Sequence, residues 1–365
     1  MKITHVITTI ERGGAEKAVL ALATAQAKSG HSVSVVPLKG KPELKEKFCE
    51  KQISVHLDAL NMSPLNQIQI LKRLIVDSEI IHSHLPRAEL ITRLAFGSAG
   101  LMITRHNSEK FFPKAPSLIS SLLSRWVTRN SSLIAISKAV SNFLVKNKEI
   151  SSNCDVNVIY YGYESQNKES NSRENCKDSE AIILGTISRL TPQKNLQLLL
   201  HFIQLQVLKG RQVFTRIVGE GPIKEELEAL ALKLGIKDYI SFLGKIENVQ
   251  EFLESLDFFL LTSNYEGFGL SLLEAFDSNV PVIASNVSAI PEVMGINHPG
   301  LFACGSLDSL EMVFEGILFS KHLRSQTLAA QQERLSFFNM KNYLENHEIV
   351  YAKHLHRLQV NFGST

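Results

Sequence analysis

The residues best placed for chemistry in this chain are charged groups that follow apolar runs. Glu266 and Glu274 are separated by seven residues in Asp257-Phe-Phe-Leu-Leu-Thr-Ser-Asn-Tyr-Glu266-Gly-Phe-Gly-Leu-Ser-Leu-Leu-Glu274-Ala. The run ending at Thr262 reads as a buried strand, Gly267-Phe268-Gly269 as a loop, and a helix begins near Leu270. One carboxylate therefore lies at the mouth of a helix and the other about one turn inside it. Glu274 is an acid among Leu272, Leu273, Ala275 and Phe276, and burying it alone would cost on the order of several kcal/mol. The pattern calls for a donor, and a ribose diol supplies two hydroxyls. A helix-start glutamate with a structural ion pair is the plainer alternative.

A second constellation is Gly185-Thr-Ile-Ser-Arg189-Leu-Thr-Pro-Gln-Lys194-Asn195, again a strand running through a loop into a helix. Arg189 and Lys194 place two cations where doubly wound sheets bind ligands, and a departing diphosphate needs such charges. Two solvated loop cations would look the same. Near the N-terminus, Gly13-Gly14-Ala15-Glu16 opens a helix after the first strand. Adjacent glycines let backbone amides approach an anion, although the run is not G-x-G-x-x-G and a tight turn explains it equally well. Gly219-Glu-Gly221-Pro222 and Phe242-Leu-Gly244-Lys245 end two further strands and, alone, read as turns or as site edges. His82 and His84 sit at another strand end and read equally as cleft-lining or structural; His106 sits at a third, where a lone histidine is more often structural.

These groups need elements to hold them. The chain has 365 residues, 44% hydrophobic and 21% charged, which suits two domains with buried cores. A net charge of +3 gives no general phosphate-neutralising surface, so no nucleic-acid partner is expected. Cys49, Cys154, Cys176 and Cys304 are far apart, arguing against a disulfide framework or a structural zinc. The N-terminal segment lacks a signal-peptide pattern, and no run approaches the ~18 apolar residues of a spanning helix, so the expected compartment is the reduced cytoplasm.

Residues 164–180 carry no aliphatic side chain and read as a linker. Short apolar runs alternating with helical patterns on both sides predict an α/β fold: two Rossmann-like domains facing a central cleft, over 1–163 and 181–339. A C-terminal helix at about 340–360 is expected to pack back on the first. Strands are expected at 3–8, 32–37, 54–57, 80–82, 101–104, 132–135 and 156–159, then at 181–187, 213–218, 240–243, 258–262 and 282–284. Helices are expected at 15–29, 65–77, 87–97, 117–129, 138–146, 196–208, 224–234, 249–256 and 270–277.

Taken in order, these motifs resemble the family 4 retaining glycosyltransferases of GT-B fold, of the kind that build bacterial surface polysaccharides. The second half carries that family's R-x4-K pair, its G-E-G-P turn, its F-L-G strand end and its E-x7-E motif. The first half agrees at Gly13-Gly14-Ala15-Glu16, Thr104-Arg-His106-Asn107, Ile136-Ser137 and Ile159-Tyr-Tyr-Gly162. The resemblance implies that Arg189 and Lys194 hold the diphosphate of a nucleotide-sugar, a UDP- or GDP-sugar, and that Glu274 holds its ribose. It places Gly244, Lys245 and Ile246 near the base and Glu266, Gly267, Phe268, Gly269 and Leu270 at the donor sugar. Gly13 and Gly14 would approach the diphosphate or the acceptor, and His106 the transferred sugar. Glu266, His106, Arg189 and Lys194 are the implied catalytic set.

The sequence departs from the family at Ser288-Ala289 and at Asn279, where glycines are usual. No Asp-x-Asp occurs, so neither metal nor cofactor is expected beyond the nucleotide-sugar co-substrate. Other enzymes of this architecture, a nucleotide-sugar epimerase or a phosphorylase, or an inactive partner subunit, are the alternatives. The acceptor is expected to be a glycan or lipid-linked glycan. Residues 105–149 hold Arg105, Lys110, Lys114, Arg125, Arg129, Lys138, Lys146 and Lys148 against Glu109 and Glu149, a net +6 in a chain of +3. With Phe111-Phe112 expected exposed in a loop, this surface suits peripheral contact with an anionic membrane; Trp126 and its neighbouring leucines read equally as core.

Overall fold

A computed structural model describes residues 1–97, 101–165 and 181–362, and the side chains of all of these except 360–362. The linker assigned to 164–180 falls almost wholly outside the described residues. By internal contacts the chain divides into two units, Met1–Tyr163 with Phe338–Thr365, and Glu164–Phe337.

The first unit runs β1 (Lys2–Ile7), α1 (Gly14–Lys28), β2 (Ser32–Pro37), α2 (Lys45–Glu50), β3 (Ser54–Val55), α3 (Pro64–Leu74), β4 (Ile80–His84), α4 (Pro86–Phe96), β5 (Met102–Arg105), α5 (Ser117–Thr128), β6 (Ser132–Ala135), α6 (Lys138–Lys146) and β7 (Asp155–Val158). Its strands form one parallel sheet in the order β3-β2-β1-β4-β5-β6-β7. The second unit runs β8 (Ile182–Ile187), α7 (Leu196–Leu208), β9 (Val213–Val218), α8 (Lys224–Lys233), β10 (Ile240–Gly244), α9 (Val249–Glu254), β11 (Phe258–Leu261), α10 (Leu270–Asp277), β12 (Val282–Ser285), α11 (Ile290–Met294), β13 (Leu301–Phe302), α12 (Leu307–Phe319) and α13 (Lys321–Phe337). Its parallel sheet is ordered β10-β9-β8-β11-β12-β13. The final helix, α14 (Met340–Phe362), belongs to the first unit and touches α1.

The α/β expectation holds, and most boundaries shift by one or two residues. The patterns did not reveal α2, α11, α12 or α13, nor the two-residue strand β13, which is too short to show a period. Both sheets are doubly wound, with strand order reversing beside β1 and β4 in one unit and beside β8 and β11 in the other. Loops leaving the carboxyl ends at those reversals are where such folds bind ligands.

Strands β5, β6, β11 and β12 are buried at every position, as parallel strands covered on both faces must be. The core of the second unit gathers Leu199, Phe202, Phe258, Phe302 and Phe314. The first unit buries polar groups as well. Arg105, 3% exposed, pairs with Glu89 at 2.8 Å and Glu149 at 3.4 Å, donates to Ser124 Oγ at 3.1 Å and lies 4.5 Å from the Phe111 ring centroid. Burial pushes the Glu89 carboxyl up to about 7 against the pull of Arg105.

This arrangement corrects two expectations. Phe111 is not an exposed loop aromatic: it is 1% exposed beneath the Arg105 guanidinium, and its ring meets that of half-buried Phe112 at 4.6 Å. Arg105 and Glu149 are not surface charges, although removing both leaves the surface excess of that segment at +6. The exposed apolar side chains lie instead on α5, at Leu118, Ile119, Leu122 and Trp126, the last 42% exposed and so not core.

Five imidazoles, those of His5, His82, His84, His106 and His347, are packed at and beneath the carboxyl end of β1 and β4. Burial holds His5 and His347 down to about 4 and His106 to about 3, with His82 and His84 also well below their ordinary value near 6.5.

Two stability predictions follow from this interior. Arg105→Ala leaves two buried acids without their cation and is expected to cost about 3–5 kcal/mol, measured by denaturant unfolding; a change below about 1 kcal/mol would contradict the buried trio. Acidification is expected to destabilise the first unit between pH 6.5 and about 4, because unfolded imidazoles take protons there and the folded ones do not. Glu89 has the opposite sign, since its raised value favours the folded state as pH falls from about 7. The five histidines outweigh it, so calorimetric Tm should fall over this window; a flat or rising Tm would refute it.

Candidate functional site

At the carboxyl edge of the second sheet, two loops are stitched together. The loop after β8 turns at Pro192–Lys194 and passes through Asn195, at φ 46°, into α7. The loop after β11 lies against it: Thr262 Oγ1 donates to the carbonyls of Lys194 and Asn195 at 3.1 Å each, Gln193 Nε2 to the Tyr265 carbonyl at 2.9 Å, and the Asn264 amide to the Gln193 carbonyl at 2.8 Å. On this frame the Lys194 ammonium pairs with Glu266, whose carboxylate also accepts from Ser263 Oγ at 2.8 Å. Glu266 is 6% exposed and Lys194 half-buried, while the Arg189 guanidinium stands in solvent.

Gly267 and Phe268 are buried, and Gly269 caps α10 at φ 94°, a left-handed conformation that favours glycine. Helix α10 opens at Leu270, so its first-turn amides lie at the same edge as Lys194. Glu274 is the fifth residue of α10, half-buried and already engaged in the described structure rather than buried with its need unmet. Its partial exposure suits exchange of partners. Ser188 Oγ and Thr191 Oγ1, in the same loop as Arg189, are buried with no hydrogen-bond partner among the described residues. A buried hydroxyl left without a partner costs ~1–3 kcal/mol.

The G-E-G turn after β9 has a steric cause. A β-carbon at Gly219, where φ is 129°, would stand 1.9 Å from the Ser188 carbonyl oxygen, and one at Gly221 would stand 2.1 Å from that of Leu190. The turn thus fits against the Arg189 loop, with Leu190 donating to the Glu220 carbonyl at 2.9 Å and Gly219 to that of Gly244 at 2.8 Å. Gly244 ends β10 at φ 65°, followed by exposed Lys245 and half-buried Ile246. The structure therefore brings Arg189, Lys194, Gly244, Lys245, Ile246, Glu266, Gly267, Phe268, Gly269, Leu270 and Glu274 to one edge of one sheet. Both departures from the family keep left-handed backbone, at φ 54° for Asn279 and 50° for Ser288, so the turns survive without glycine.

The remaining named residues lie in the first unit, at the carboxyl edge of its sheet. Gly13 precedes α1, and a β-carbon there would press to 2.2 Å on Glu16, itself buried and held by Thr9 Oγ1 at 2.5 Å; Gly14 is exposed. His106 follows β5 with both ring nitrogens engaged, Nε2 with His84 Nδ1 at 3.0 Å and Nδ1 with the Tyr161 hydroxyl at 2.5 Å. His82 and His84 are structural: both are buried and hydrogen-bonded at both nitrogens. Nitrogens of His5, His82 and His84 lie within 4.8 Å of one another, close enough to hold an ion, yet every ring nitrogen of the three already has a protein partner. A metal would have to break those bonds. Ser263, Ser188, Thr191 and His5 escaped notice in the sequence. His5 carries the one usable signal, a polar residue inside the apolar run Ile3–Ile7.

Comparison with known proteins fits this geometry. The family described as "Glycosyltransferase Family 4" matches residues 12–166, and "Glycosyl transferases group 1" matches residues 167–325. The O-antigen biosynthesis glycosyltransferase WclY of Escherichia coli is 30% identical over 143 residues, 38% of this chain and 39% of WclY, so well under two thirds of that relative is spanned. A Campylobacter jejuni protein, GalNAc-alpha-(1->4)-GalNAc-alpha-(1->3)-diNAcBac-PP-undecaprenol alpha-1,4-N-acetyl-D-galactosaminyltransferase, is 25% identical over 94% of this chain and 96% of its own. In fold, the structure of Anabaena Alr3699/HepE in complex with UDP-glucose superposes with a TM-score of 0.80 at 19% identity, covering 97% of this chain and all of that one. With one family on each half and the paired Rossmann-like sheets beneath them, the chain belongs to the family 4, group 1 glycosyltransferases of GT-B fold.

Proposed function

We propose that this protein is a retaining glycosyltransferase that moves a hexosyl or N-acetylhexosaminyl group from a UDP- or GDP-sugar to a hydroxyl of a glycan or lipid-linked glycan, with neither metal nor cofactor. The observation that carries this reading is the Lys194–Glu266 pair, held on two stitched loops at the edge where Arg189, Glu274 and the start of α10 also lie. Lys194 has three donors, so it can keep Glu266 and still reach a phosphate oxygen, while Arg189 adds a planar fork. As the bond between the sugar carbon and the phosphate oxygen breaks, the diphosphate leaves with the electron pair. Cations and helix amides stabilise that charge in place of a metal. Glu266 faces the sugar, Glu274 takes the ribose hydroxyls, and Lys245 and Ile246 border the base. The acceptor hydroxyl oxygen then bonds the sugar carbon as its proton passes to the departing phosphate oxygen, and no covalent enzyme intermediate is invoked.

The acceptor side is read from the first unit. Leu118, Ile119, Leu122 and Trp126 occupy one face of α5, with Arg125 and Arg129 beside them, Lys110 and Lys114 exposed just before the helix, and Lys146 and Lys148 exposed at the end of α6. An apolar stripe rimmed by cations suits an anionic bilayer, at ~1 kcal/mol per well-placed Lys or Arg. No described helix is long and apolar enough to cross a membrane, so the contact would be peripheral. A PP-undecaprenol-linked glycan, the acceptor in the Campylobacter relative's name, is an acceptor class that such contact would serve.

Lys194→Ala and Arg189→Ala are each expected to lower turnover about a hundredfold, or ~3 kcal/mol of transition-state stabilisation. Near-normal turnover in both would sink the assignment, as would loss of activity in EDTA. In co-sedimentation, the protein should bind phosphatidylglycerol vesicles, less so as salt rises, and Leu118→Ser with Leu122→Ser should weaken binding at least tenfold. Absence of binding at low salt would refute the membrane contact and leave a soluble glycan acceptor.

A further inference from the structure

The buried imidazoles of the first unit form one directional chain. His5 Nε2 meets Gln26 Oε1 at 2.8 Å, and a carboxamide oxygen can only accept, so His5 carries its proton on Nε2. Its Nδ1 must then accept from His84 Nε2 at 2.9 Å, which makes His84 Nδ1 an acceptor for His106 Nε2 at 3.0 Å. His106 Nδ1 is left as an acceptor, and it meets the Tyr161 hydroxyl at 2.5 Å. On its other side the same amide donates through Nε2 to the Tyr351 hydroxyl at 3.0 Å. That hydroxyl can donate to His82 Nδ1 at 2.7 Å, and His82 Nε2 to Thr104 Oγ1 at 2.7 Å. Turning the amide over would require every proton from Tyr161 to Thr104 to reverse, so the two arms hold each other in one polarity.

We propose that Gln26 is a positioning residue that sets the tautomer of His106 through His5 and His84, so that His106 presents a neutral acceptor nitrogen to a hydroxyl donor. In the structure that hydroxyl is Tyr161's. On the reading of this chain as a glycosyltransferase, a sugar hydroxyl takes its place, and a carbonyl or carboxylate, having no proton to give, does not. The depressed pKa of His106 agrees, since an imidazole held down to about 3 is uncharged at neutral pH. The end of the chain that reaches solvent is thereby specified by a glutamine buried three hydrogen bonds away, on α1.

The test is the two-bond 1H–15N spectrum of the full chain with labelled histidine at pH 7, without substrate, so that its failure is distinct from a failure of the transferase reading. His5, His84 and His106 are expected as neutral Nε2–H tautomers. His347, whose Nδ1 donates to the Tyr343 carbonyl at 2.8 Å, is expected as the opposite tautomer and serves as an internal control. Gln26→Leu should turn His106 into a mixture of tautomers while His347 is unchanged, and Gln26→Glu, which keeps the acceptor, should restore the wild-type pattern. A wild-type His106 that is charged, mixed or protonated on Nδ1 would overturn the proposal whether or not the variants fold. So would an unaltered His106 in folded Gln26→Leu.

Discussion

Every strand pair in both sheets is parallel, and that constraint governs where chemistry can occur. A parallel strand must be followed by a crossover, so all loops leaving carboxyl ends emerge at one edge. In the second unit this alone brings together residues as distant in sequence as Arg189 and Glu274. The hydrogen bonds from Thr262, Gln193 and Asn264 then convert proximity into a fixed platform. Gly219 and Gly221 belong to the same design: with side chains, the neighbouring loop could not pass close enough to hold Arg189 where it is.

The two units meet the demands of burial differently. The second centres on a large apolar cluster, buries Gln206 and Gln331 as well, and sets the Lys194–Glu266 pair at the sheet edge. The first buries an arginine with two acids and a chain of neutral imidazoles, groups that are costly unless each finds a partner. The partners are there, and they reach across the unit: α1 supplies Gln26, β1 His5, β4 His82 and His84, and α14 Tyr351. A polar core of this kind fixes orientation where apolar packing would permit several arrangements, and it gives the C-terminal helix a specific hydrogen-bonded seat.

Much of this was legible in the residues. Strands such as Val213–Val218 and helices such as Leu196–Leu208 follow from period and composition, and the charged motifs stood out because each followed an apolar run. The illegible parts depended on contacts distant in sequence. Nothing local distinguishes Phe111 from an exposed loop aromatic until Arg105 is seen to need its ring, and Glu274 looks buried only if its helix is assumed to bury every face. The apolar stripe of α5 was hidden for the opposite reason, since Leu118, Leu122 and Trp126 have the period of a core helix although they face solvent. The histidine chain required knowing that β1 lies beside β4 and β4 beside β5.

The account depends most on the cations at the edge of the second sheet acting as a diphosphate seat. Titration calorimetry with UDP, GDP and the corresponding uncharged nucleosides tests this most directly. The account predicts that one of the diphosphates binds the intact chain, that its nucleoside binds far more weakly, and that replacing Arg189 and Lys194 together by Met abolishes the difference while the fold, read by circular dichroism, persists. Equal binding of nucleoside and diphosphate, or diphosphate affinity unchanged in the double variant, would contradict it.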